Sequence, residues 1–236
     1  MPDLQYIVDL NAQPTETTCG PTCLHGLYQY HGSNAGHHTL IDEVKSTIGG
    51  GTLGVHLGLD AIKRGFDVTI YTHNLNVFDP SWFDIEKPNL IAKLLAQAKA
   101  KPDTKAAEAS QHYADLLRSG GKVLFEELTP QFLFQVLLRH GPLICGLSAT
   151  YLYMSKREIN ETCTEDDVKG YPQGHFVLLS GMSEDLKQVE VTDPLEQNPI
   201  HYERRYRIPT QHFINSVLIG VITYDANFLA IKKKDE

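Results

Sequence analysis

The sequence predicts an α+β protein. Segments with apolar residues at helical spacing gather in the first half, and short alternating or wholly apolar runs gather in the second. The 236 residues are 42% hydrophobic and 21% charged, so the chain can bury a sizeable core without disulfides or a structural metal. One domain over 1–236 is expected, with a helical insertion at about 79–126.

The first helix is expected after Thr17 and Thr18, which can cap it, with Cys23, Leu24, Leu27 and Tyr28 at helical spacing. Pro21 is tolerated near a helix start, and Gly32 is the natural stop. A short helix fits Thr39 to Ser46, followed by the flexible run Gly49, Gly50 and Gly51. A third helix fits Val55 to Arg64, stopped by Gly65, and Phe66 to Tyr71 alternates as a strand does. Between Pro88 and Gly120, two helices are expected on either side of Lys101 and Pro102. Thr129 and Pro130 open another helix, which ends at Gly141 and Pro142. Leu143 to Leu147 and Phe176 to Ser180 read as buried strands. Strands are also expected through Tyr151 and Tyr153, over Val189 and Val191, and over Val217 to Tyr224. Lys232, Lys233 and Lys234 read as a solvated tail.

Composition excludes several classes. Lys plus Arg is 21 against 29 Asp plus Glu, a net charge of −8, so the basic footprint of a general nucleic-acid binder is missing. No basic segment followed by an apolar stretch opens the chain, and no run approaches the roughly 18 apolar residues of a membrane span. Cys19, Cys23, Cys145 and Cys163 form no C-x2-C pair and suit a reducing compartment, so a soluble cytoplasmic protein is expected. His31, His37 and His38 lack metal-ligand spacing, and the glycine run lacks the Lys-Ser/Thr of a phosphate loop. No cofactor or metal is expected.

Cys19 is the candidate nucleophile. A thiol at a helix N-terminus meets unpaired N–H groups and the positive end of the dipole, both of which favour thiolate. Cys23, one turn on, and Cys145, in an apolar strand, read as buried packing residues. A nucleophilic thiol needs a base. If the strands starting at Gly174 and ending at Asp193 pair about Glu184, residue 177 faces 191 and His175 faces Asp193. A carboxylate so placed can orient an imidazole and stabilise its protonated form.

The segment Gln13-Pro14-Thr15-Glu16-Thr17-Thr18-Cys19-Gly20-Pro21-Thr22-Cys23-Leu24 resembles the nucleophile segment of the bacteriocin-processing, double-glycine leader peptidases of the papain-like clan. Gly174-His175-Phe176-Val177 and Val191-Thr192-Asp193-Pro194 are similar to that family's histidine and aspartate segments. The resemblance implies a papain-like fold and a cysteine peptidase acting on a peptide or small protein. It implies Cys19 as nucleophile, His175 as proton carrier, Asp193 as its orienting group and Gln13 as oxyanion support. Thr18 stands where many members carry an acidic residue, and no transporter spans or G-x-x-x-x-G-K-[ST] loop accompany the segment. An amidase or acyltransferase on the same fold, or a peptide-binding module without turnover, are the alternatives.

Overall fold

The computed structural model describes residues 3–47, 51–84, 86–160, 162–200 and 203–234. Gly49 and Gly50, read from sequence as a flexible run, lie outside them; Gly51 has φ +72°.

In chain order the elements are β1 (Leu4–Gln5), α1 (Cys19–Tyr30), α2 (His37–Glu43), α3 (Gly54–Lys63) and β2 (Phe66–Thr72). There follow α4 (Lys87–Ala100), α5 (Lys105–Arg118), β3 (Lys122–Leu124), α6 (Pro130–His140), β4 (Leu143–Ser148) and α7 (Ala149–Leu152). The chain closes with β5 (Glu158–Ile159), β6 (Thr164–Glu165), β7 (Gly174–Met182), β8 (Gln188–Thr192), β9 (Arg205–Pro209), α8 (Thr210–Ile219) and β10 (Asn227–Lys233).

The described residues form an eight-stranded sheet in the order β3-β2-β10-β4-β7-β8-β9, with β1 added at the far end of β7. All pairings in it are antiparallel except β2 with β3. Side chains alternate across the sheet as the pleat requires. Ile144, Phe176, Leu178 and Leu229 join α1, α3 and α5 in one buried cluster. Cys145, Val177, Leu179 and Phe228 join α6 and α8 in another. A helical layer carrying Cys19 thus lies on a mostly antiparallel sheet, the α+β arrangement that the resemblance implies.

Several sequence expectations are corrected. Tyr151 lies in α7 and Tyr153 follows it, because the Ser148 hydroxyl accepts from the Tyr151 N–H and opens a helical turn. Val217 to Tyr224 is the end of α8 and a 3-10 turn over Gly220–Thr223. The buried Thr210, Phe213, Ile214 and Val217 keep helical spacing despite their strand-favouring side chains. The final strand comes later, and Lys232 and Lys233 are its exposed end, paired with Asp67 and Phe66. The segment expected as a helical insertion is not only helical, since β3 extends the sheet edge beside β2. Its helix α5 also buries Tyr113, Leu116 and Leu117 in the first cluster.

The β7–β8 hairpin has a different register from the one read in the sequence. Leu178 pairs with Thr192 and Leu179 with Val191; a bulge at Ser180 then gives Gly181 with Glu190 and Met182 with Val189. Continuing the first pairing puts Val177, not His175, across from Asp193. The offset is two residues, so His175 and Asp193 remain on one face as diagonal neighbours.

Leu27 in α1 is fully buried, whereas Leu138 in α6 is 54% exposed. Leu27→Ala therefore lowers unfolding stability by about 2–5 kcal/mol. Leu138→Ala stays within about 0.5 kcal/mol. Urea denaturation with unchanged slopes is the measurement.

Candidate active site

Cys19 is the first residue of α1, where the N–H groups of the opening turn have no helical partner. The Thr18 hydroxyl does not cap the helix; it bonds back to the Thr15 carbonyl and accepts from the Thr15 N–H, shaping the approach loop instead. The helix lies tight on β7: a Cβ on Gly20 would come within 3.2 Å of Phe176 and 3.4 Å of Leu57. Cys23, one turn on, is fully buried and donates its thiol to the Phe176 carbonyl at 3.3 Å. These contacts set how close Cys19 comes to the start of β7.

His175 stands there, 6% exposed. Its Nε2 lies 2.9 Å from Asp193 Oδ1, and it lines the same cavity as Cys19. With Nε2 directed at the carboxylate, Nδ1 is the nitrogen left for the sulfur. Burial by itself would favour the neutral ring. The Asp193 charge and hydrogen bond, with the nearby Cys19, outweigh it and raise the pKa from 6.5 to about 10.

Asp193 has no exposed surface. Oδ1 also accepts from the Leu195 N–H at 2.9 Å, and Oδ2 accepts from the hydroxyls of Tyr153 and Tyr206, each at 2.7 Å. Burial alone would raise this pKa. The His175 cation and these donors reverse the direction and hold the carboxyl below its usual range. Both phenols are pushed up, by burial first and then by the carboxylate charge, so each remains a donor.

Gln13 lines the same cavity as Cys19 and His175. Its Nε2 donates to the Thr15 carbonyl at 3.1 Å, its backbone N–H donates to the Pro194 carbonyl at 2.9 Å, and its Oε1 is buried without a partner. One of the two amide hydrogens is therefore committed and the other is not. The cavity, about 490 Å³, opens beside Cys19 between the α1 approach loop and the β5–β6 hairpin.

All four cysteines are free thiols. Burial pushes Cys23 and Cys145 well above the ordinary thiol range. Tyr153 and Tyr206 were not singled out in the sequence. Tyr206 alternates inward with Ile208 on β9, a legible signal; Tyr153 was hidden by the mistaken strand. Asp225 was missed as well. It lines the cavity, and burial pushes its carboxyl up to about 7.

Among the described residues, one group approaches a metal-ligand set: His56, Glu108 and His112. Lys45 Nζ lies 2.7 Å from His112 Nε2 and 3.7 Å from Glu108, so a cation of the chain itself already sits there. His31 bonds to the Ile231 carbonyl and His37 to the Thr22 hydroxyl; neither forms a ligand cluster with His38. No helix among the described residues is long and apolar enough to cross a membrane.

No family model matches the chain, and no curated protein sequence matches it. Among the solved structures similar to it are the following three. The peptidase domain of Streptococcus ComA, a bi-functional ABC transporter involved in a quorum-sensing pathway, is 15% identical, with 97% of this chain and 100% of that one covered and a TM-score of 0.46. A double-glycine motif protease from an AMS/PCAT transporter, in complex with the leader peptide, is 13% identical, with 99% of each chain covered and a TM-score of 0.47. Xylellain, a cysteine protease from Xylella fastidiosa, is 13% identical, with 100% of this chain and 87% of that one covered and a TM-score of 0.43.

Two predictions follow from the carboxylate and its partners. Tyr206→Phe removes a charge-assisted bond and lowers unfolding stability by about 1.5–3 kcal/mol, read by chemical denaturation. The His175 contribution is complete below its unfolded pKa of 6.5 and fades as pH rises through about 10. That of Asp193 is complete above an unfolded pKa of 3.8 and is lost as pH falls below it. The gap in melting temperature between the parent and His175→Gln is thus widest between about pH 4 and 6.5. A gap that widens from pH 7 to 10 contradicts the ion pair.

Proposed function

We infer that this protein is a cysteine peptidase that cleaves a peptide bond in a peptide or small protein. The observation that carries the reading is one imidazole bonded to a buried, fully partnered carboxylate and lining one open cavity with a cysteine at a helix N-terminus. A structural His–Asp pair needs neither the thiol nor the cavity.

The sequence of steps follows from these positions. The Cys19 sulfur attacks the acyl carbon, and its proton resides on His175. The developing oxyanion meets the Cys19 backbone N–H and the uncommitted N–H of the Gln13 side chain. His175 gives its proton to the leaving amine, which departs and leaves a thioester on Cys19. His175 then takes a proton from water, hydroxide adds to the thioester, and the acid product leaves as the thiol is restored. Asp193 keeps the ring oriented and its positive charge stabilised throughout. Tyr153 and Tyr206 act one step further out as positioning residues, through their bonds to the carboxylate.

Mutational costs are unequal. Cys19→Ala and His175→Ala abolish turnover of any peptide the parent cleaves, followed by mass spectrometry of products. Gln13→Ala retains turnover reduced by about 10²–10³. A silent Gln13→Ala on every such peptide rejects the oxyanion role.

Alkylation tests the thiol–imidazole pair without a substrate. Thiolate is the reactive form, and an unperturbed thiol near pKa 8.5 is only a few per cent ionised at pH 7. Cys19 reacts with iodoacetamide at pH 6, the exposed Cys163 reacts only as pH rises, and the buried Cys23 and Cys145 resist. His175→Ala removes the low-pH reactivity of Cys19. Equal pH profiles for Cys19 and Cys163 overturn the peptidase reading and favour a binding module.

A further inference from the structure

The cavity beside Cys19 is acidic in a way the proposed mechanism does not use. Glu16, Glu158, Glu165 and Asp225 line it, against Lys105 as the lone lysine or arginine among its lining residues. Glu158 and Glu165 are direct cross-strand partners in the β5–β6 pair. Like charges at that spacing repel, and sheets normally avoid the arrangement. No ion pair relieves Glu16, Glu158 or Glu165 among the described residues. The Glu158 carboxyl responds: burial raises its pKa first, and Glu16 and Glu165 raise it further.

Asp225 supplies an independent observation at the inner end. It is 5% exposed, and its Oδ2 accepts from the Thr223 hydroxyl at 3.0 Å, while Oδ1 is buried with no partner. Glycine is needed beside it: a Cβ on Gly174 would come within 2.4 Å of Asp225 Oδ2, and one on Gly146 within 3.3 Å of Oδ1. Lys105 does not bond to this carboxylate. Its Nζ donates to the Thr223 carbonyl at 3.3 Å and lies over the Tyr224 ring. A buried carboxylate oxygen without a donor costs stability, and a donor delivered by a ligand recovers it.

We propose that the substrate is a basic peptide, whose lysine or arginine side chain beside the cleaved bond enters the cleft lined by Glu16, Glu158, Glu165 and Asp225. The Glu158–Glu165 pair receives the cation on one wall, and Asp225 accepts a further N–H at the other. This specificity rests on the reading of Cys19 as the nucleophile, which stands or falls separately.

The probes are peptidyl acyloxymethyl ketones that differ only in carrying Lys, Leu or Glu at either of the two positions nearest the ketone. Their rates of Cys19 labelling are each divided by the iodoacetamide rate of the same protein. The parent reacts with the Lys probe roughly tenfold faster than with the Leu probe, and more slowly with the Glu probe. Glu158→Gln with Glu165→Gln, and separately Asp225→Asn, bring the Lys-to-Leu ratio several-fold closer to one. The remote pair Glu86→Gln with Glu127→Gln leaves that ratio intact. Equal rates for the three probes overturn the proposal, as does a Lys preference that survives both cleft variants or is cut equally by the remote pair. Should Asp225→Asn fail to fold, the Glu158 and Glu165 double variant decides alone, because those side chains are half-buried and exposed. Loss of low-pH iodoacetamide labelling overturns the peptidase reading and this specificity with it. Intact labelling with indifferent peptide probes overturns the specificity only.

Discussion

The structure around the site depends on keeping one buried carboxylate charged. Asp193 has no contact with solvent, and an unpaired carboxylate there would cost several kcal/mol. Its partners come from separate parts of the chain: His175 from β7, Tyr153 after α7, Tyr206 from β9, and the Leu195 N–H from its own loop. The backbone ties continue outward, from the Asp193 N–H to the Arg204 carbonyl and from Gln13 to the Pro194 carbonyl. Satisfying the charge therefore fixes β7, β8 and β9 relative to the loop that leads into α1. The ring that faces Cys19 is oriented as a consequence.

Close packing does the rest of the positioning. Gly20 lets α1 settle on Phe176 and Leu57, and the Cys23 thiol spans to the Phe176 carbonyl. The two cysteines of the helix are chemically alike and differ in surroundings. Cys19 is at the open end of the helix beside an imidazolium; Cys23 is under it, in an apolar core where burial favours the neutral thiol.

Two buried carboxyl groups near the cleft are handled differently. At Asp193 the fold provides a cation and three further donors, and the acid stays ionised. At Asp225 it provides a single hydroxyl, and burial moves the acid up to about 7. Satisfaction of the first makes it an internal orienting group. Incompleteness at the second leaves a buried oxygen facing the cavity without a donor.

What the sequence determined by itself was local and periodic. The helix starting at Cys19, the stops at Gly65 and Gly141, the Thr129 cap, the buried run from Leu143 and the shared face of His175 and Asp193 all follow from spacing, caps and strand parity. Tertiary structure decided what parity and spacing leave open. The hairpin register shifted by two residues and then bulged at Ser180, which kept the face but changed the partner across from Asp193. Tyr153 moved from an expected strand to the end of a helical turn, where it reaches the carboxylate. The last strand displaced the one expected over Val217 to Tyr224, and so brought Asp225 against Gly146 and Gly174. Each of these depends on contacts between residues far apart in the chain, and no periodicity within a single segment encodes which distant side chain will complete a buried charge.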